Sequence, residues 1–139
     1  MLVLDTDHVS ALGAPSEAGL ELLERIRESR QEAATTIVTV EEQLRGWLAE
    51  IHRLNDPHRE ILAYERLQRL INFFAAWTVL PWDTQAADLF LRSRREGVRI
   101  GSMDLKIASI TRAQNATFLT RNATDFDRVP ALRHENWLD

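Results

Sequence analysis

Short apolar runs alternate along the chain with longer segments in which apolar residues recur at helical spacing. The short runs are apolar or β-branched and are bounded by polar residues, which predicts buried strands at 1–4, 35–39, 77–80 and 116–120. The periodic segments predict helices at 17–30, 40–54, 57–76, 84–96 and 104–114. Strands that alternate with helices are typical of an α/β domain built around a parallel sheet.

The 139 residues suffice for one domain, and no repeat or linker divides them. With 45% hydrophobic and 27% charged residues, the composition is that of a folded domain. The absence of cysteine excludes disulfides, thiolate metal sites and cysteine nucleophiles. Asp5 and Asp7 interrupt the apolar start before an export signal forms, and no apolar stretch is long enough for a membrane span, so we expect a cytoplasmic protein.

Acidic residues follow the predicted strands, and in parallel sheets ligands bind beyond the carboxyl ends of the strands. These positions hold Asp5 and Asp7, Glu41 and Glu42, and then Asn122, Asp125 and Asp127, while Asp104 opens the predicted helix at 104–114. A single carboxylate at a helix start is most often a cap or a partner of the helix dipole. Four loops that bring acids to one sheet edge instead indicate a cation site, because unneutralised carboxylates repel each other.

Oxygen ligands without a cysteine or histidine cluster favour Mg²⁺ or Mn²⁺ over Zn²⁺. Such ions activate water and stabilise charge on phosphoryl groups. The residues alone therefore support the hypothesis of metal-dependent phosphodiester cleavage.

Four sequence blocks, in order and spread along nearly the whole chain, resemble those of the PIN-domain ribonucleases, specifically the VapC-type toxins of bacterial toxin–antitoxin pairs. The blocks are Leu-Asp-Thr-Asp at 4–7, Thr-Val-Glu-Glu-Gln-Leu-Arg-Gly at 39–46, Gly-Ser-Met-Asp-Leu-Lys-Ile-Ala at 101–108 and Thr-Arg-Asn-Ala-Thr-Asp-Phe at 120–126. The tail at 129–132 and 135–137 resembles the closing strand of that family. The resemblance implies a PIN-like three-layer α/β/α fold, with a single domain over residues 1–139.

The same resemblance implies catalytic and metal-binding roles for Asp5, Glu42, Asp104 and Asp125. Glu42 is selected over Glu41 because the family places its second acid four residues before a small residue, here Gly46.

The fourth acid is the open one, since Asn122 stands where some members carry it. We favour Asp125, with Asn122 as a neutral contact and Asp127 as the remaining alternative. Thr6 and Thr120 either hydrogen-bond a carboxylate or water, or are purely structural.

Two neighbours of Asp5 receive other interpretations. Asp7 is expected to cap a helix, because many relatives carry asparagine there, and His8 is expected to serve packing or capping. The scattered His52, His58 and His134 are assigned no role.

The resemblance also implies Mg²⁺ or Mn²⁺ as cofactor, an RNA substrate such as tRNA or ribosomal RNA, a small antitoxin partner and a homodimer. Trp47, Leu48, Ile51 and Leu54 extend an apolar surface that serves either an interface or the core.

Two rivals stay open at this point. A haloacid-dehalogenase-like phosphatase would use Asp5 as nucleophile, but that family expects threonine at the position of Val9 and, later, a lysine and an acidic pair. Lys106, the only lysine, lies inside the predicted Asp104 helix rather than in a separate motif. A PIN-like module that binds without cutting would not need all four acids.

The net charge of −4 argues at first against a nucleic-acid partner. Residues 90–139, however, carry nine basic and six acidic side chains, whereas residues 1–89 carry eight and fifteen. We therefore expect RNA contacts from the arginines that precede the third acid, namely Arg92, Arg94, Arg95 and Arg99. The alternative is that these cations favour a helix C-terminus and cover apolar surface.

Overall fold

The structure, a computed structural model, describes all of residues 1–139 and contains five strands and seven helices. The strands are β1 (Leu2–Leu4), β2 (Ala33–Thr36), β3 (Thr78–Leu80), β4 (Thr117–Leu119) and β5 (Arg133–Glu135). The helices are α1 (Thr6–Gly13), α2 (Glu17–Ser29), α3 (Ile37–Leu54), α4 (Pro57–Ala75), α5 (Thr84–Arg95), α6 (Ser102–Ala113) and α7 (Ala123–Phe126).

All strand pairs are parallel, and the sheet order is β3-β2-β1-β4-β5. The central strand β1 pairs on one side with β2, through Leu2 opposite Ala33, and on the other side with β4, through Leu2 opposite Thr117. The strand order therefore reverses at β1. In α/β sheets such a switch point opens a crevice at the carboxyl ends of the strands, and the residue at that point is Asp5.

Hydrophobic residues cover both faces of the sheet, because successive strand side chains point to opposite faces. Val3 belongs to a cluster of 15 buried residues with side chains from α3, α5 and α6, whereas Leu2 and Leu4 belong to a cluster of seven with side chains from α1, α2 and α4. The α/β fold with its layers of helices on both faces of a parallel sheet is thereby confirmed.

The boundary between β2 and α3 lies earlier than the sequence predicts. Residues 37–39 are β-branched, and we expected them to continue a strand; they form the first turn of α3 instead. Thr36 explains the difference, because its side chain accepts a hydrogen bond from the backbone N–H of Thr39 at 3.0 Å and so caps the helix. This local capping bond outweighs the strand propensity of the run.

Two helices and one strand register also differ from the prediction. A helix start beside Asp7 was expected without a range, and α1 occupies 8 residues there; no helix was predicted over α7, which occupies 4 residues after β4. The closing strand lies at Arg133–Glu135, between the two tail segments predicted at 129–132 and 135–137 and sharing only Glu135 with them. No helix of the chain is both long and apolar enough to cross a membrane.

The contact between α1 and α2 requires a glycine at position 19. A Cβ atom there would lie 2.2 Å from the backbone carbonyl oxygen of Ala11, whereas a Cβ at Gly46 of α3 would contact nothing within 4 Å. We therefore expect Gly19→Ala to lower the free energy of unfolding by about 1–3 kcal/mol through overpacking.

The matched variant Gly46→Ala should raise that free energy by about 0.4–1 kcal/mol, because alanine restricts the unfolded chain. Urea denaturation of both variants measures the difference. Equal effects of the two substitutions would show that the close approach of the two helices does not constrain the fold.

Candidate active site

Asp5 follows β1 directly and is held by both the backbone and α1. Its N–H donates to the carbonyl of Leu119 at 3.0 Å, which extends the β1–β4 pairing by one residue. Its Oδ1 accepts two hydrogen bonds at 2.8 Å, one from the backbone N–H of His8 and one from the ring Nδ1 of His8. Asp5 is therefore the N-cap of α1.

The capping role predicted for Asp7 is wrong, because the helix begins at Thr6 and Asp7 lies within its first turn. The Asp7 side chain is exposed and lines the same cavity as Asp5.

A cavity of about 140 Å³ lies at the carboxyl edge of the sheet, next to the switch point. It brings together three of the four predicted acids with the predicted supporting residues, and its lining is Asp5, Thr6, Asp7, Glu42, Asp104, Ile107, Phe118, Thr120, Asn122 and Phe126. Asp125 does not line the cavity. The Nδ2 of Asn122 donates to Oδ2 of Asp125 at 2.9 Å, so the uncharged residue connects the fourth acid to the cavity wall.

The carboxylates of Glu42 and Asp104 are electrostatically unfavourable in this cavity. Burial, together with the charges of Asp104, Glu41 and Asp5, raises the pKa of Glu42 above its ordinary value. Burial and the charges of Asp125 and Asp5 likewise raise the pKa of Asp104. The Oε1 of Glu42 is moreover buried without any hydrogen-bond partner, which is rare for a native polar atom.

Asp5 behaves in the opposite way. Burial alone would raise its pKa, but the hydrogen bonds from His8 and the Thr120 hydroxyl together hold the pKa of Asp5 below its ordinary value. Thr120 is itself buried, and its oxygen accepts the backbone N–H of Asn122 at 3.0 Å. Thr6 is half-buried in the cavity wall.

This donor set fits a hard divalent cation, because all its ligand atoms are oxygens and one carboxylate oxygen lacks any partner. No three of the acidic or histidine side chains approach closely enough in the structure to hold one ion together. Carboxylates repel each other, and a cation among them would lower that repulsion. Asp127 is directed elsewhere, since its Oδ1 lies 2.7 Å from Nε2 of His134.

Glu41 and Lys106 belong to a different cavity, of about 470 Å³, beside α3 and Trp82. Glu41 forms an ion pair with Arg45 at 2.7 Å, and Lys106 lies 5.8 Å from the centre of the Trp82 ring. The only lysine of the chain is thus absent from the acidic cavity, which removes the residue that a haloacid-dehalogenase-like phosphatase would need there.

The four arginines before the third acid divide into two groups. Arg92, Arg95 and Arg99 are exposed, whereas Arg94 is half-buried and donates to the carbonyl of Val98 at 3.0 Å. The guanidinium of Arg94 also lies over the Phe90 ring at 5.3 Å, so this arginine stabilises the turn between α5 and α6.

His8 is the residue whose place in the site the sequence interpretation missed. The expectation of packing holds, since the side chain is fully buried. The ring nevertheless contacts the first predicted metal ligand directly. The available signal was its position, three residues after an acid that ends a strand, where a helix start brings the two side chains together.

The family model of the PIN domain matches residues 2–132. The chain belongs to the PIN-domain family. Ribonuclease VapC2 of Haemophilus influenzae is 28% identical over 123 residues, which cover 86% of this chain and 86% of that protein. The tRNA(fMet)-specific endonuclease VapC of Salmonella typhimurium is 32% identical over 81 residues, or 55% of this chain and 61% of that one.

Among solved structures, the crystal structure of VapBC2 from Rickettsia felis bound to a DNA fragment from their promoter contains a chain similar to this PIN domain. The TM-score is 0.73 at 24% identity, and the match covers 98% of each chain. This likeness establishes the shared fold, and the resemblance to PIN-domain proteins predicted from the four sequence blocks is confirmed.

The opposite pKa shifts make a prediction about stability without metal. Glu42 and Asp104 bind their protons more tightly in the folded state than in the unfolded chain, because their pKa values are raised. Their contribution to stability is therefore complete below the ordinary pKa values of 4.5 and 3.8, and it is lost as the pH rises through the raised pKa values. We expect Glu42→Gln to remove part of this loss and to raise the free energy of unfolding at pH 7 by at most about 1 kcal/mol, because water screens half-buried charges.

Asp5 has the opposite sign. Its stabilising contribution is present above its ordinary value of 3.8 and is lost as the pH falls through the lowered value, so Asp5→Ala should destabilise the protein at pH 7. Urea denaturation in chelator at pH 3, 5 and 7 measures both effects, with Glu28→Gln, an exposed residue of α2, as control. A Glu42→Gln variant less stable than the wild type at pH 7 would contradict the electrostatic interpretation.

Proposed function

We propose that this PIN domain is a VapC-type endoribonuclease, the toxin of a toxin–antitoxin pair, and that it hydrolyses phosphodiester bonds with Mg²⁺ or Mn²⁺. The observation that carries the proposal is the acidic cavity at the switch point of the sheet, in which Glu42 presents a buried oxygen without a partner. The similarity to proteins named ribonuclease VapC supports the reaction class.

Asp5, Glu42 and Asp104 are the residues that would hold the ion, with Asp125 as a fourth acid. The ion, when bound, supplies a Lewis acid that activates water and neutralises charge at the phosphoryl group. Asp5 is ionised before any cation binds, because the hydrogen bonds from His8 and Thr120 favour its charged form. Asn122 holds Asp125 in hydrogen-bond contact, and burial of Ile107, Phe118 and Phe126 gives the cavity an apolar wall.

We propose a structured RNA, tRNA or ribosomal RNA, as the substrate. The relative from Salmonella typhimurium is named as a tRNA(fMet)-specific endonuclease, which supports tRNA within this class. Such a substrate implies action in the cytoplasm.

We also propose a small antitoxin partner and a homodimer. The antitoxin proposal is supported by the structural neighbours from Rickettsia felis and Salmonella typhimurium, which are VapBC complexes. Apolar side chains stand exposed on α3 and α4, among them Leu48, Ile61, Tyr64 and Ile71, and such surface is available for an interface. Ile51, by contrast, is buried in the monomer.

The nuclease proposal predicts loss of cleavage when the acids lose their charge. Asp5→Asn, Glu42→Gln and Asp104→Asn should each lower the rate of RNA cleavage in Mg²⁺ or Mn²⁺ at least about 100-fold, because each removes an anionic ligand of the ion. A structured RNA labelled at its 5′ end, incubated with and without chelator, measures the rate. Activity that survives both Asp5→Asn and Asp104→Asn would rule out the metal-dependent mechanism.

The same cleavage assay tests which residue is the fourth acid, with one variant at Asp125 and a matched variant at Asp127. Asp125→Asn should lower the rate, since Asp125 acts on Asp104 and contacts Asn122, whereas Asp127→Asn should leave it nearly unchanged because Asp127 pairs with His134. The reverse order would assign the fourth acid to Asp127. RNA that binds to the wild-type chain but is never cut under any metal would support the non-catalytic module instead.

The exposed arginines before Asp104 predict a salt-dependent RNA affinity. The double variant Arg95→Ser/Arg99→Ser should bind RNA more weakly, and the slope of log affinity against log salt should flatten by roughly one to two phosphate contacts. Arg27→Ser/Arg30→Ser is the control, because these arginines end α2 near the opposite, amino-terminal edge of the sheet. An unchanged slope in the first variant would remove Arg95 and Arg99 from the RNA interface.

A further inference from the structure

The His8 ring connects Asp5 to the far end of the chain. It is completely buried, and each ring nitrogen has one hydrogen-bond partner. Nδ1 lies 2.8 Å from Oδ1 of Asp5, and Nε2 lies 3.2 Å from the backbone nitrogen of Trp137. A residue at the start of the chain thus bridges the first acid and a residue 129 positions later.

These two contacts fix where the ring proton is. A backbone N–H can only donate, so Nε2 of His8 must accept from Trp137 and carries no hydrogen. The ring hydrogen is therefore on Nδ1. Nδ1 therefore donates to Asp5, and both hydrogen bonds from His8 end on Oδ1 of that carboxylate, which leaves Oδ2 unused by His8.

The main chain at Trp137 is itself held in place. Trp137 packs against the apolar cluster that contains Leu4 and Leu119, which flank the switch point. The guanidinium of Arg25 lies over the indole ring at 4.3 Å, and Arg121 forms an ion pair with Asp139 at 3.3 Å. The backbone N–H of Trp137, which fixes the His8 tautomer, is therefore held in place by the contacts of the indole ring and by the ion pair at Asp139.

We propose that His8 is a positioning residue for the metal site, and that the tail main chain at Trp137 holds it in the tautomer that orients Asp5. This inference rests on the proposed function, since it assigns Asp5 the role of metal ligand. Hydrogen bonds that orient metal ligands typically change metal affinity 10- to 100-fold when removed. Neither His8 nor Trp137 lines the acidic cavity, so both residues act on the site through Asp5.

The tautomer is tested first, in the metal-free protein. Long-range ¹H–¹⁵N correlation spectra of the His8 imidazole should show a protonated Nδ1 and a bare Nε2. A protonated Nε2 would overturn the proposal whatever the metal affinity proves to be. Because no metal is present, this result is independent of whether the protein is a nuclease.

Two pairs of variants then test the effect on Asp5 by titration calorimetry with Mn²⁺. His8→Leu removes both ring contacts and should weaken Mn²⁺ binding about 10- to 100-fold, whereas His8→Asn, whose amide can replace the Nδ1 donor, should stay within a few-fold of the wild type. Trp137→Pro removes the backbone donor together with the indole and should weaken binding more than Trp137→Ala, which removes the indole alone.

Equal Mn²⁺ affinity in His8→Leu and the wild type would overturn the positioning role. A wild-type chain that does not bind Mn²⁺ at all would instead overturn the proposed function, and the tautomer spectra would still decide the His8–Trp137 contact. If His8→Leu fails to fold, as judged by circular dichroism, the comparison of His8→Asn with the wild type and the proline–alanine pair carries the test.

Discussion

Repulsion between carboxylates at one edge of the sheet is the constraint around which this site is organised. Parallel pairing sends every strand in the same direction, so the loops after β1 and β4 and the helices α3 and α6 present their acids at the same edge. The central position of β1 puts Asp5 at the switch point, between the ends of β2 and β4. The fold must supply the stability to hold these charges together, because the charges themselves oppose the arrangement.

The protein meets this constraint unequally at the different acids. Asp5 has donors and a lowered pKa, whereas Glu42 and Asp104 have neighbours of the same sign and raised pKa values. Asp5 lies at the end of β1, where the free backbone N–H groups at the start of α1 can donate to its carboxylate. The carboxylates of Glu42 and Asp104 project from helices α3 and α6 and cap neither helix. Asp5 is thus a fixed anion, whereas Glu42 and Asp104 lack such donors within the site.

Much of this arrangement could be predicted from the sequence, for a physical reason. Short apolar runs that alternate with helical segments predict both the parallel sheet and the edge at which polar groups collect, so Asp5 after β1 and the acids near the starts of two helices could be selected without coordinates. The start of α3 could not be predicted in the same way, because a single capping bond between Thr36 and Thr39 decides it against the propensity of three β-branched residues. The choice between Glu41 and Glu42 came from the spacing to Gly46 in related proteins, and composition alone would have left it open.

The contact between His8 and Trp137 shows where sequence patterns fail. Patterns report local periodicity, whereas this hydrogen bond joins residues at opposite ends of the chain and uses a backbone donor that no side-chain motif marks. The charge distribution along the chain is likewise a poor guide to the site, because both parts of the chain contribute to it. The acidic first part supplies Asp5 and Glu42, and the basic last part supplies Asp104 together with the tail that fixes the Asp5 partner. Both parts of the chain therefore contribute residues to the site, and Asp5 lies between strands from each part because β1 pairs with β2 on one side and with β4 on the other.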